Sequence, residues 1–145
     1  MNARSSVHAI VCLLMLAACG VAPRSGGGAA PRLYEMTTET GMPHLEENLR
    51  YATVTVQRCL DLRDLSTEFW MLREVSLQDC RLVKTDESAE AATYLLQCHG
   101  GHGTTGSATW QLGSAAIAGT MNVRLGGKNM TFYQRITARP LGAAC

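Results

Sequence analysis

Between Gly106 and Leu125 the side chains change character at every second residue, a period that restricts the chain's folding more than any other feature. In Gly106-Ser107-Ala108-Thr109-Trp110-Gln111-Leu112 the even positions are small or apolar and the odd ones polar. In Ile117-Ala118-Gly119-Thr120-Met121-Asn122-Val123-Arg124-Leu125 the odd positions are apolar and the others mostly polar. Successive side chains of a strand point to opposite faces, so the pattern predicts antiparallel strands with one face buried and one in water. Gly113-Ser114 and Gly126-Gly127-Lys128-Asn129 supply turns between them. The same reading places further strands over residues 33–38, 52–59, 80–84, 92–98 and 130–139. One segment departs from it: Leu62, Leu65, Phe69 and Leu72 recur at helical spacing, with Asp64 or Ser66 as N-cap, and predict a short amphipathic helix. A length of 145 residues with 46% apolar and 17% charged side chains suits one globular domain. The expectation is an all-β domain of about seven strands, as a single antiparallel curved sheet or a small barrel, with one short helix between the second and third strands.

The N-terminus reads differently. Arg4 gives a modest positive start, Ala9 to Leu16 form an apolar run, and Leu16-Ala17-Ala18-Cys19-Gly20 follows. An apolar run of about ten residues is too short for a permanent membrane span and marks a targeting segment. Leu-Ala-Ala-Cys resembles the lipobox of bacterial lipoproteins, in which the cysteine thiol is diacylated and the chain is cut just before it. The resemblance implies a signal peptide over residues 1–18 and a lipid on Cys19; the competing reading is an ordinary signal peptide with an incidental Cys19. Residues 19–32, rich in Gly, Ala and Pro and without hydrophobic period, read as a tether of about 20 Å end to end. Residues 33–145 are then the folded part. Gly20 in place of an aspartate after the anchor resembles the sorting signal for the outer membrane, facing the periplasm.

An exported chain folds in an oxidising compartment, where an even number of cysteines suggests disulfides. Cys12 leaves with the signal and Cys19 takes the lipid, leaving Cys59, Cys80, Cys98 and Cys145. The runs beginning at Cys80 and ending at Cys98 flank a polar stretch that reads as a hairpin loop. Setting Cys80 opposite Cys98 also opposes Leu82 to Leu96. A cross-strand Cα separation of ~4.5 to 5.5 Å is one a disulfide accepts. Cys59 then remains for Cys145.

These residues resemble the bacterial domain-of-unknown-function family 3617, small exported envelope proteins. The landmarks that carry the resemblance are Leu33-Tyr34-Glu35-Met36-Thr37, Val56-Gln57-Arg58-Cys59-Leu60, Cys80-Arg81-Leu82, Cys98 before Gly100-Gly101, Thr105-Gly106, Gly119-Thr120-Met121, and the closing Arg139 to Cys145. Tyr34 stands where the family usually has tryptophan, and the closing cysteine falls two residues later than its commonest spacing. The resemblance implies a fold and a compartment and no reaction.

Chemistry is sparse. Cys98-His99-Gly100-Gly101-His102 offers a thiolate and two imidazoles, ligands that zinc and copper favour, with His44 as a further candidate. Against a metal there, Cys98 is better used in a disulfide, so no metal or cofactor is assigned. The Gly-rich stretch 100–106 lacks the Gly-Lys-Ser/Thr of a phosphate loop, no Gly-x-Ser-x-Gly elbow is present, and Ser107 and Ser114 have no evident histidine partner beyond His99 or His102. No catalytic residue is assigned. All 12 acidic side chains precede Ala91, whereas residues 91–145 hold four bases and no acid. The halves are expected to face each other across one fold, the competing reading being a basic face for an anionic envelope component, and the balanced total gives no reason to expect nucleic acid as a partner. The resulting expectation is a membrane-anchored, non-catalytic envelope module that holds a small apolar ligand or docks an envelope protein. The alternative is a metal- or redox-handling protein using the Cys98, His99 and His102 loop.

Replacing Cys19 by alanine is expected to abolish incorporation of a labelled fatty acid and leave the signal segment uncleaved. Intact-mass measurement of the protein from the producing bacterium checks both, and a mature wild-type chain without added acyl mass would refute the anchor.

Overall fold

The computed structural model describes residues 30–42, 51–100, 103–127 and 130–145. Seven strands account for most of them: β1 (Arg32–Gly41), β2 (Tyr51–Leu60), β3 (Cys80–Glu87), β4 (Ala91–Cys98), β5 (Thr105–Leu112), β6 (Ile117–Leu125) and β7 (Met130–Ala144). All neighbours are antiparallel, in the order β2-β1-β7-β6-β5-β4-β3. Because β2 and β3 are the two ends and do not pair, the sheet is curved and unclosed; of the two expected forms, the curved sheet is the one adopted. No helix among the described residues is long and apolar enough to cross a membrane.

The alternation in the sequence becomes the two faces of this sheet. On β6, Ile117, Gly119, Met121 and Val123 are buried and the residues between them exposed. Met36 of β1, Tyr94 of β4, Ala108 and Trp110 of β5 and Ile136 of β7 share the buried, concave face. Trp110 lies opposite Gly119, and a Cβ there would sit 2.8 Å from the indole carbons. Only glycine leaves room for the ring at that place. Glycine also answers a backbone demand at Gly127, which takes φ +78° in the β6–β7 turn.

The expected hairpin register holds from Cys80 opposite Cys98 to Lys84 opposite Tyr94, after which a bulge shifts it to Asp86 opposite Thr93. The Cys80–Cys98 disulfide spans a Cα distance of 4.0 Å. The second bridge, Cys59–Cys145, spans 5.9 Å and ties β2 to the end of β7, across the strand that separates them in the sheet. Both pairings are those expected from the sequence. One exposed ion pair joins the acidic and basic halves, Glu39 of β1 with Arg135 of β7 at 3.6 Å.

The predicted amphipathic α-helix is not formed. Residues 61–79 instead cross the concave face in turns and two short 3-10 segments, Trp70–Arg73 and Val75–Leu77. Their backbone bonds reach three residues back, as from Leu72 N–H to the Phe69 carbonyl and from Leu77 N–H to the Glu74 carbonyl. Two local competitors explain this. Asp61 and Asp64 each accept the backbone N–H two residues on, from Arg63 and Ser66, which closes Asx turns where the helix would begin. Sheet side chains then supply the bonds that a helix would make to itself: Trp110 Nε1–H donates to the Leu65 carbonyl at 3.2 Å, and Met71 N–H donates to Gln134 Oε1 at 3.4 Å. Leu65, Phe69, Met71 and Leu77 are buried, so the segment serves as the cover of the core.

The chain-entropy account of cross-links predicts unequal contributions, because the bridges close loops of 86 and 18 residues separation. Replacing Cys59 and Cys145 together by alanine is expected to lower unfolding free energy by about 4.5 kcal/mol, against about 3 kcal/mol for Cys80 and Cys98 together. Urea titrations of the two variants check the order.

Candidate functional site

The cover does not extend evenly. On β2 the side chains of Val54, Val56 and Arg58 face the same side as Thr38, Met36 and Tyr34, their direct partners on β1. That is the core face, yet Val54 is 51% and Val56 42% exposed while Met36 is 2% exposed. The crossing segment passes beside these valines and leaves a groove of ≈ 600 Å³, floored by Met36, Val54 and Val56 and walled by Glu68, Trp70 and Arg73. Within the cover, Phe69 and Met71 turn into the core while the half-buried Trp70 between them lines the groove.

One end of the groove is ionic. Glu68 is only 11% exposed, and its buried Oε2 lies 3.6 Å from Arg58 Nη1, an ion pair just beyond hydrogen-bond distance. Burial raises the Glu68 carboxyl above its ordinary value, while the charges of Arg58 and Arg73 oppose the rise without cancelling it. The Arg58–Glu68 pair thus gives the apolar floor one polar, charged end.

The cover is held in place by buried polar groups. Gln134 Nε2–H donates to Thr40 Oγ1 at 3.0 Å while its carbonyl oxygen receives Met71 N–H, so one side chain ties the sheet to the segment that carries Glu68 and Trp70. Phe69 packs on Trp110 with ring centroids 5.1 Å apart. On the far side of Trp70 a smaller cavity of ≈ 140 Å³ continues toward Met42 and Phe132. The outer face carries a depression of ≈ 510 Å³ over Leu95, Ser107 and Asn122. Beside it, the Tyr133 hydroxyl donates to Glu39 Oε1 at 3.0 Å.

The residues singled out from sequence lie elsewhere. Cys98 is in its disulfide, and His99 is exposed, its N–H bonded to the Asp79 carbonyl at 3.2 Å. The Asp79 carboxylate accepts the next N–H, of Gly100, at 2.7 Å. His102, His44 and Cys19 lie outside the described residues. Among the described residues no group of three or more His, Cys, Asp or Glu could hold a metal ion. Sequence reasoning missed Arg58 and Glu68, and no local signal marks them, because they meet only through the path of the cover. Compared with known protein families, curated proteins and solved structures, the chain matches none.

Because Glu68 binds its proton more tightly in the folded state, the stability it contributes is complete below its ordinary value of 4.5 and is lost as pH rises through the raised folded value. The difference in melting temperature between wild type and Glu68→Gln is therefore expected to move in favour of the variant as pH rises from 4.5, then level off. A difference that is flat with pH, or that moves the other way, would contradict it.

Proposed function

We propose that this chain is a lipid-anchored protein of the bacterial envelope, akin to domain-of-unknown-function family 3617, whose β domain binds a small amphipathic molecule without chemically changing it. The observation that carries the binding reading is the groove itself: two half-exposed valines on the core face of β2 beside the Arg58–Glu68 pair. An apolar floor with one convergent polar group is the usual composition of a small-molecule site. The ligand that fits has an aliphatic or aromatic body and a hydrogen-bond-donating end, a hydroxyl or an amine, directed at Glu68.

Placement supports the membrane side of this reading. Arg58 faces Tyr34, two residues from the start of β1, where residues 19–32 would lead back to an acylated Cys19. A tether of about 20 Å keeps such a groove near a lipid surface. The alternative of metal or redox chemistry on Cys98, His99 and His102 has less support, since it needs a free thiolate and the Cys98 sulfur is shared with Cys80.

The full chain is expected to bind the neutral apolar dye N-phenyl-1-naphthylamine saturably, with enhanced fluorescence. Val56→Asp removes apolar floor and places a charge beneath the ligand, a change of at least ~1.4 kcal/mol, so binding should weaken tenfold or more. Fluorescence titration reads this directly; unchanged affinity in Val56→Asp would sink the groove as the site.

A further inference from the structure

We propose that the outer edge of β2 pairs with the same edge of a second copy, joining two sheets into one about a two-fold axis at Thr55. The inference rests on the contrast between the two ends of the sheet. β2 is a ten-residue strand whose register with β1 runs unbroken from Leu60 to Tyr51. It contains no proline, lysine, aspartate or glutamate, and Arg58 is its single charge. Among the described residues nothing pairs with its outer side. Long, regular, uncharged edges with exposed apolar side chains are the ones that take up another strand. β3, at the other end, is guarded by the usual means: it carries Arg81, Lys84, Asp86 and Glu87, and a bulge breaks its register between Lys84 and Asp86. One edge is therefore blunted and the other is not.

That asymmetry selects a second copy and a closed pair. If β2 meets β2, both receptive edges are consumed and only the blunted β3 edges face outward, so assembly stops at two. A two-fold axis normal to the sheet keeps the faces matched, and opposed residues must then share a face. With the axis at Thr55, Val54 opposes Val56 of the second copy, Thr53 opposes Gln57 and Ala52 opposes Arg58. Opposed β-branched and threonine pairs are favourable cross-strand neighbours, and no like charges meet. Shifting the axis to Val56 would set Arg58 against Val54 instead. In the favoured register the exposed valines of both copies lie side by side. The pairing goes beyond the ligand reading and does not depend on it.

The test uses full-length chain bearing two different tags, co-expressed in the same cells, solubilised in detergent and captured by one tag. Wild-type copies are expected to co-purify. Thr55→Lys in both copies, or Thr55→Glu in both, sets like charges face to face at the axis and should reduce co-capture at least tenfold, while a Thr55→Lys copy with a Thr55→Glu copy should restore it. Thr55 is exposed on the face opposite the groove, its hydroxyl 3.2 Å from that of Thr37, so each variant should keep N-phenyl-1-naphthylamine affinity within twofold. This separates lost pairing from a lost fold or a lost groove. Absence of wild-type co-capture, capture that persists with lysine at 55 in both copies, or failure of the mixed pair to restore it would overturn the proposal.

Discussion

The indole N–H of Trp110 donating to the Leu65 carbonyl, together with Gln134 bridging Thr40 and Met71, fixes residues 61–79 on the concave face of the sheet. The fold depends on that attachment because an unclosed sheet with one apolar face has no other half to pack against. A barrel would bury its interior by closing on itself, and a sandwich would do so with a second sheet. Here one crossing segment supplies Leu65, Phe69, Met71 and Leu77 to the core. A short segment can do this only by extending across the strands and taking hydrogen bonds from them. An α-helix would hold its backbone bonds within itself and present a narrower stripe.

Economy of cover has a consequence at the β2 end. The segment leaves β2 at Leu60, which is buried, reaches β3 within three residues, where Lys84 Nζ–H donates to the Arg63 carbonyl, and comes back to β2 where Glu68 meets Arg58. Val54 and Val56 keep the orientation of core residues without the burial of core residues. The same geometry brings Glu68 to Arg58 at a distance where charge is compensated in part. Groove, ionic end and receptive edge thus share one origin. The Cys59–Cys145 bridge closes the end of this region, fixing β2 to β7 so that the strand bordering the groove stays paired along its length with β1.

Much of this was legible in the residues. The period of two at positions 106–112 and 117–125 gave strand directions and faces, and the hairpin offset of Cys80 and Cys98 gave a register and from it both disulfides. Strand ends were less legible: β7 continues past Pro140 to Ala144, where pairing with β1 sustains a stretch whose composition suggests a loop. The expected helix is absent although Leu62, Leu65, Phe69 and Leu72 fit a helical stripe. That period reports which residues are apolar; it does not report that Asx turns at Asp61 and Asp64 would start the segment otherwise.

Local patterns in the chain suffice for the strands, their inward faces and the cross-links and, by resemblance, for the expectation of export and a lipid anchor. These follow from neighbours in the chain, since side-chain alternation and hairpin offset are local properties. That the sheet stays open, that the cover leaves Val54 and Val56 exposed, and that Glu68 meets Arg58 over an apolar floor emerge only in three dimensions. Those features depend on where a crossing segment lies against strands distant in sequence, and its path is set by bonds to Trp110 and Gln134 that no local pattern records.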